Sequence, residues 1–159
     1  MSNLQTAIEI AVRAHAGQFQ KCPTDEPYIT HPLGVMNRVE GSDAKIVAVL
    51  HDVIEDTQVT SKDLVAAGFS AGVIRAVEHL TRGKEETYAD FILRCATDPL
   101  ALKVKLADLE HNFNLPRSLI CAENVDRDIR RLGRYAAAHR FLSGSMPREE
   151  FEEIMKHLE

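Results

Sequence analysis

Apolar residues recur along this chain at spacings of three and four, the period of an α-helix that packs on one face. In residues 3–17, Leu4, Ala7, Ile8, Ala11, Val12 and His15 fall on one side. Ser2 or Asn3 stands where an N-cap belongs, and Gly17 closes the run. Residues 18–30 contain Pro23 and Pro27 and read as a loop. Thr30 is placed to cap a helix with Pro32 in its first turn, running to about Glu40 before Gly41 breaks it. Ser42 or Asp43 starts the next helix, in which Ile46, Val47, Val49, Leu50, Val53 and Ile54 are apolar. Thr60 begins a short helix, and Ser70 starts another that reaches about Leu80. Residues 85–97 set Tyr88, Phe91, Ile92 and Cys95 on one side. Asp98-Pro99 opens a helix through Lys105 to Asn112, and Pro116 interrupts the pattern beyond it. A long helix from about Asn124 to Leu142 and a last one from Pro147 to His157 complete the chain. Period-two alternation is not sustained anywhere. The pattern predicts an all-α fold: an irregular bundle of about eight to ten helices.

Composition narrows the class. The length of 159 residues suits a single domain, and 45% hydrophobic with 27% charged residues is enough for one core. The net charge of -5 and pI near 5.8 argue against a nucleic-acid polymer as partner, which demands a broad basic face. A small phosphorylated substrate needs only a local basic pocket. Cys22, Cys95 and Cys121 are odd in number and widely spaced, which predicts a reducing compartment rather than a disulfide framework. No stretch approaches the roughly 18 apolar residues of a membrane span, and the Met1–Leu4 opening lacks a basic start before an apolar run. The expectation is a cytoplasmic protein with no membrane partner; the sequence leaves the oligomeric state open.

The chemistry concentrates at His51-Asp52-Val53-Ile54-Glu55-Asp56. His51 and Glu55 are four apart, as are Asp52 and Asp56, so on one helix all four side chains reach a common pocket mouth. Charged groups between Val47–Leu50 and Val53-Ile54 are costly to bury unless paired or metal-bound. A His-Asp dipeptide alone is compatible with an ordinary acidic patch. Two further segments change that. Upstream, His31 stands immediately before Pro32 in Pro27-Tyr28-Ile29-Thr30-His31-Pro32. Downstream, Asp108 lies among Val104, Leu106, Ala107 and Leu109, with His111-Asn112 after it. Singly, His31 reads as a capping or core histidine and Asp108 as a salt-bridge partner of Lys105 or Lys103. Together, in the order His, His-Asp, Asp, they are most simply explained by one metal site.

These segments resemble the HD superfamily, and within it the hydrolase domain of the RelA/SpoT alarmone enzymes and the small stand-alone alarmone hydrolases. The likeness rests on His15-Ala16-Gly17-Gln18, Pro27 to Pro32, Leu50 to Thr57, Leu80-Thr81 and Lys105-Leu106-Ala107-Asp108. It implies a single HD-type phosphohydrolase domain over residues 1–159. It implies His31, His51, Asp52 and Asp108 as ligands of one divalent metal, with Mn²⁺ the family's ion; the mixed N/O donor set by itself also suits Fe²⁺, Zn²⁺, Co²⁺ or Ni²⁺. Glu55 and Asp56 would orient the attacking water and accept its proton, or else cap the helix end or pair with a lysine. Lys21, Lys105 and Asn112 would contact substrate, with Arg82 and Lys84 as further phosphate charges and Tyr28 either stacking on a ligand or lying in the core.

The expected activity is hydrolysis of a nucleotide, first of all removal of the 3′-pyrophosphate of (p)ppGpp. The alternatives are another nucleotide or an NADPH-like substrate, or a non-catalytic nucleotide-sensing module. The chain departs from the family in three places, one of them a short stretch from Thr81 to Lys105 with Tyr88-Ala89-Asp90-Phe91-Ile92 inside it. Its Gln20–Glu26 loop lacks the Arg-Lys-Ser-Gly pattern, and Leu109-Glu110-His111-Asn112-Phe113-Asn114-Leu115 lacks two arginines and a threonine. These departures bear on which nucleotide is read, not on the metal set.

Overall fold

A computed structural model describes residues 3–20, 26–113 and 120–158. Every regular element among them is helical. The order is α1 (Leu4–Ala14), α2 (Thr30–Met36), α3 (Ser42–Leu50), α4 (Val53–Asp56), α5 (Ser61–Ala66), α6 (Ala71–Leu80), α7 (Tyr88–Cys95) and α8 (Pro99–Asn112). A short 3₁₀ turn, Ala122–Asn124, leads into α9 (Val125–Leu142), and α10 (Arg148–Leu158) ends the described chain. The only pairing of extended backbone among the described residues is an isolated bridge between Phe19 and Pro27.

Local chemistry sets these boundaries. The Asn3 carboxamide oxygen accepts from the Thr6 N–H, so Asn3 caps α1. The helix ends at Ala14, and Gly17, with φ of 78°, turns the chain away in a conformation that costs glycine little. Thr60 and Asp63 form a reciprocal capping box on α5. Ser70, Thr87 and Asp98 cap α6, α7 and α8 through their side chains, and Pro99 occupies the first turn of α8.

α3 is apolar on nearly every side, and Ala44 and Ile46 through Leu50 are all buried. A helix of that kind belongs at the centre of a fold, and α3 packs against α1, α2, α6 and α8. Each fully buried side chain of Leu or Val size contributes about 1.5–3 kcal/mol. α9 and α10 close one side as a hairpin, with the Phe141 and Phe151 rings stacked at 4.8 Å. α2 ends at Met36 rather than near Glu40. Val39 is nevertheless buried, so the apolar signal there comes from a loop packed on the core and not from another helical turn.

Candidate metal centre and its cavity

Three segments deliver the charged cluster. Pro32 fits the first turn of α2, which fixes His31 beside it at 5% exposure. α8 carries Asp108 at 4% exposure, facing α2 and α3. The third segment differs from the expected continuous helix. α3 stops at Leu50 and α4 begins at Val53, with Asp52 between them at φ −101° and ψ −5°. On a regular helix, consecutive side chains diverge by about 100°. Loosening the turn here brings His51 Nε2 to 3.0 Å from Asp52 Oδ2. The helix breaks at the two residues that must point the same way.

His31 Nε2 lies 3.2 Å from Asp108 Oδ1 and 3.6 Å from Asp52 Oδ2. His51 Nε2 lies 3.8 Å from Asp108 Oδ1. Donor atoms of His31, His51 and Asp108 all fall within 4.8 Å of one another. Asp52 joins through its contacts to both imidazoles.

His51 tests whether these residues fit a cation. Its Nδ1–H donates to the Ala48 carbonyl at 2.7 Å, leaving a buried Nε2 with no hydrogen-bond partner among the described residues. Nε2 faces two carboxylates, so either a proton on it or a cation beside it balances their negative charge. Burial alone would make His51 less basic, but Asp52 and Asp108 outweigh it and raise its pKa to about 9. Burial works against ionised Asp52 and Asp108 too. The imidazoles overcome it for Asp52, and Lys105 first and then the imidazoles overcome it for Asp108, holding both below the usual carboxylate range. The cluster is built around positive charge, and two imidazole nitrogens with two carboxylates suit a divalent ion.

Around it, Tyr28 donates to Asp52 Oδ2 at 2.6 Å and also approaches Asp56 Oδ2 at 3.2 Å. Its ring packs on His15 at 4.8 Å. The tyrosine is therefore a link between two carboxylates, a role its spacing in the sequence gave no sign of. Glu55 accepts from the Arg82 backbone N–H at 2.7 Å. Burial raises the pKa of both Glu55 and Asp56, and neighbouring carboxylates add to it. Neither acid pairs with a lysine among the described residues.

Lys105 forms the expected contact one turn from Asp108, at 2.8 Å, whereas Lys103 donates to the Glu40 carbonyl. Asn112 Nδ2 donates to Asp108 Oδ1 at 2.6 Å, so it steadies that carboxylate as well as lining the cavity. Lys21 lies outside the described residues.

His111 is the residue that sequence reasoning passed over. Its Nδ1 meets His31 Nδ1 at 2.9 Å in a buried contact, one nitrogen donating and the other accepting. Such a contact fixes the tautomer and ring orientation of His31. A Cβ built on Gly34 would fall 2.2 Å from His111 Nε2, so only glycine on α2 lets α8 bring this ring so close. The signal existed in the helical Gly34, but it becomes readable only once α2 is known to cross α8.

A cavity of about 850 Å³ opens beside the cluster. His31, His51, Asp52, Glu55, Asp56 and Asp108 line one part of it. α9 contributes Arg127, Arg131 and Arg134 to another, with Asp128 paired to Arg127 and Arg131.

Comparison with known proteins places the chain among relatives of known family and fold. The HD domain family matches residues 7–112. A human protein named guanosine-3′,5′-bis(diphosphate) 3′-pyrophosphohydrolase is 37% identical over 124 residues, covering 70% of this chain and 68% of the human one. A protein of the same enzyme name from Haemophilus influenzae is 34% identical over 125 residues, covering 69% of this chain. The chain spans only 15% to 18% of the length of several long bacterial relatives. A solved structure, described as a metazoan ortholog of SpoT that hydrolyzes ppGpp, superposes with a TM-score of 0.73. That superposition covers 99% of this chain and 94% of the other at 22% identity, which establishes the shared fold. With two-thirds of its length matched by that family and a His/Asp cluster suited to a divalent metal, the chain belongs to the HD domain family.

Proposed function

We propose that this protein is a metal-dependent pyrophosphohydrolase that removes the 3′-diphosphate of guanosine-3′,5′-bis(diphosphate). The observation that carries this reading is the convergence of His31, His51, Asp52 and Asp108 on one point at the edge of a cavity large enough for a nucleotide. The relatives that bear this enzyme name support the choice of substrate. Mn²⁺ is the ion we assign, held by those four residues. When bound, it supplies positive charge against the phosphoryl oxygens and acidifies water.

The chain's own residues do the rest. Glu55 and Asp56 lie at the cavity edge beside the cluster, where a carboxylate orients water toward phosphorus and accepts its proton. The water oxygen joins phosphorus, the bond from phosphorus to the ribose 3′ oxygen breaks, and the proton ends on that oxygen. Tyr28 holds Asp52 and Asp56 at a fixed separation during this exchange. Lys105 offsets phosphate charge near Asp108, and Asn112 and Lys21 serve the nucleotide. The unit that works is residues 1–159 as one domain, in the cytoplasm, on a small nucleotide rather than a nucleic-acid polymer. Among the described residues, no helix is long and apolar enough to cross a membrane.

The test is a substrate panel with purified protein and Mn²⁺: (p)ppGpp, NADPH, ordinary nucleoside phosphates and pyrophosphate. Release of pyrophosphate from (p)ppGpp with the highest kcat/KM supports the reading. Preference for NADPH, or turnover of none, overturns it.

A further inference from the structure

The wall of the cavity formed by α7 and α9 holds a group that the hydrolytic site does not use. The Tyr88 hydroxyl is buried and has no hydrogen-bond partner among the described residues, while its residue is only 7% exposed. A buried hydroxyl without a partner is costly to keep. The residue lines the same cavity as the metal cluster.

Two guanidinium groups flank its ring. Arg82 lies 5.8 Å and Arg134 5.9 Å from the ring centroid. Both are anchored by backbone carbonyls and not by acids: Arg82 donates to Glu86 O at 2.9 Å and Arg134 to Leu158 O at 2.9 Å. Neither forms an ion pair among the described residues, although the chain is acidic overall. On the other side, Phe91 relates this wall to the metal cluster. Its ring is 6.0 Å from that of Tyr88 and 5.0 Å from the Lys105 ammonium, which in turn contacts Asp108.

A buried hydroxyl without a partner, beside two guanidinium groups that form no ion pair among the described residues, suits a ligand with several acceptor oxygens and negative charge. A phosphoryl group meets that description. We propose that Tyr88, Arg82 and Arg134 form a second phosphate subsite, which takes a phosphoryl group other than the one hydrolysed. That the ligand is a nucleotide phosphorylated at two positions rests on the function proposed above; the subsite itself does not. It gives the cavity a ruler. A substrate with phosphate at both ends engages both walls, and one with phosphate only at the cleaved end engages the metal side alone.

The experiment is calorimetric titration of the Mn²⁺-loaded protein with GDP, which carries a 5′-diphosphate and no 3′ group, and with orthophosphate. For Tyr88→Phe, which keeps the ring, GDP affinity falls about tenfold, the scale of one hydrogen bond to a charged group. Orthophosphate and Mn²⁺ affinities stay as in the wild type, and the thermal midpoint of the ligand-free protein holds or rises because a costly hydroxyl is gone. Arg134→Gln, which tests the site while keeping the Tyr88 hydroxyl, lowers GDP affinity as well. Unchanged GDP affinity in both variants overturns the subsite, as does a wild type that does not bind GDP. A Tyr88→Phe protein with a lowered midpoint and weakened Mn²⁺ binding overturns it too, since the hydroxyl is then structural. If the substrate panel shows no turnover yet GDP binding depends on Tyr88, the subsite stands and the proposed reaction falls; the reverse pattern separates them equally well.

Discussion

Asp98 and Asp108 sit on the same helix, ten residues apart, and each is 4% exposed. Asp98 Oδ1 accepts from the Leu100 and Ala101 N–H groups, and Oδ2 accepts from Arg75 Nε at 2.9 Å. Its needs are met mainly by the helix it caps, with one arginine from α6. Asp108 meets Lys105 and Asn112 from its own helix, but also His31 and His51 from two others. Both carboxylates are held below their ordinary pKa against the opposing effect of burial, yet by different means. Backbone N–H groups and Arg75 do it for Asp98, while Lys105 and the two imidazoles do it for Asp108. The difference is between a charge satisfied where it stands and a charge that gathers distant partners around a point. Only the second arrangement has a use beyond stability.

The strongest way to break this contrast is Asp108→Asn. It should lower turnover at least about a thousandfold and weaken Mn²⁺ binding in proportion. It also leaves Lys105 without its counter-charge, so the midpoint falls as well; calorimetry is therefore run below the transition of both proteins. Full turnover after metal stripping and reloading would place Asp108 in the same class as Asp98.

Next in size is Glu55→Gln. Loss of about a hundredfold to ten-thousandfold in kcat with retained nucleotide affinity is the expected result for a proton acceptor. Unchanged behaviour would favour a sensing module. His111→Ala frees His31 Nδ1, and Mn²⁺ affinity should drop about ten- to a hundredfold while helical content by circular dichroism is kept. An affinity equal to the wild type would mean that His31 is held without it.

Asp98→Ala gives the smallest and opposite pattern: a stability loss of about 1–2 kcal/mol by urea unfolding, with Mn²⁺ affinity intact. Its pH dependence has a defined sign. Because the folded carboxyl has the lower pKa, the folded state favours the ionised form. The Asp98 contribution is complete above the unfolded value near about 3.9 and is lost as pH falls through the lower, folded value. Wild type and Asp98→Asn should therefore differ in stability at neutral pH and converge in strong acid. Convergence at alkaline pH would contradict the assignment.

Asp98 was also the more legible of the two. Asp followed by Pro at the head of an apolar run announces a helix start, and the cap forms where that rule puts it. The same holds for Ser70 and for the apolar run that makes α3 central. Asp108 stood out for the converse reason, as a carboxylate among apolar residues that needs a partner, and the order of His31, His51-Asp52 and Asp108 suggested a shared point. What stayed hidden depended on how helices cross. The break between α3 and α4 leaves no composition signal, since both flanks are apolar. Gly34 and His111 lie on different helices, and nothing along the chain pairs them. Tyr28 looked like core or a stacking platform because an aromatic's hydroxyl partner is set by tertiary packing. Tyr88 followed the helical period into the core, yet the residue also lines the cavity, and its hydroxyl has no hydrogen-bond partner among the described residues.

Crystals grown with Mn²⁺ and measured at its absorption edge would reveal the ion's position directly. One anomalous peak within bonding distance of His31, His51, Asp52 and Asp108 is the predicted result. A fully loaded protein whose peak lies elsewhere, with these four side chains still facing one another and no ion between them, would contradict it.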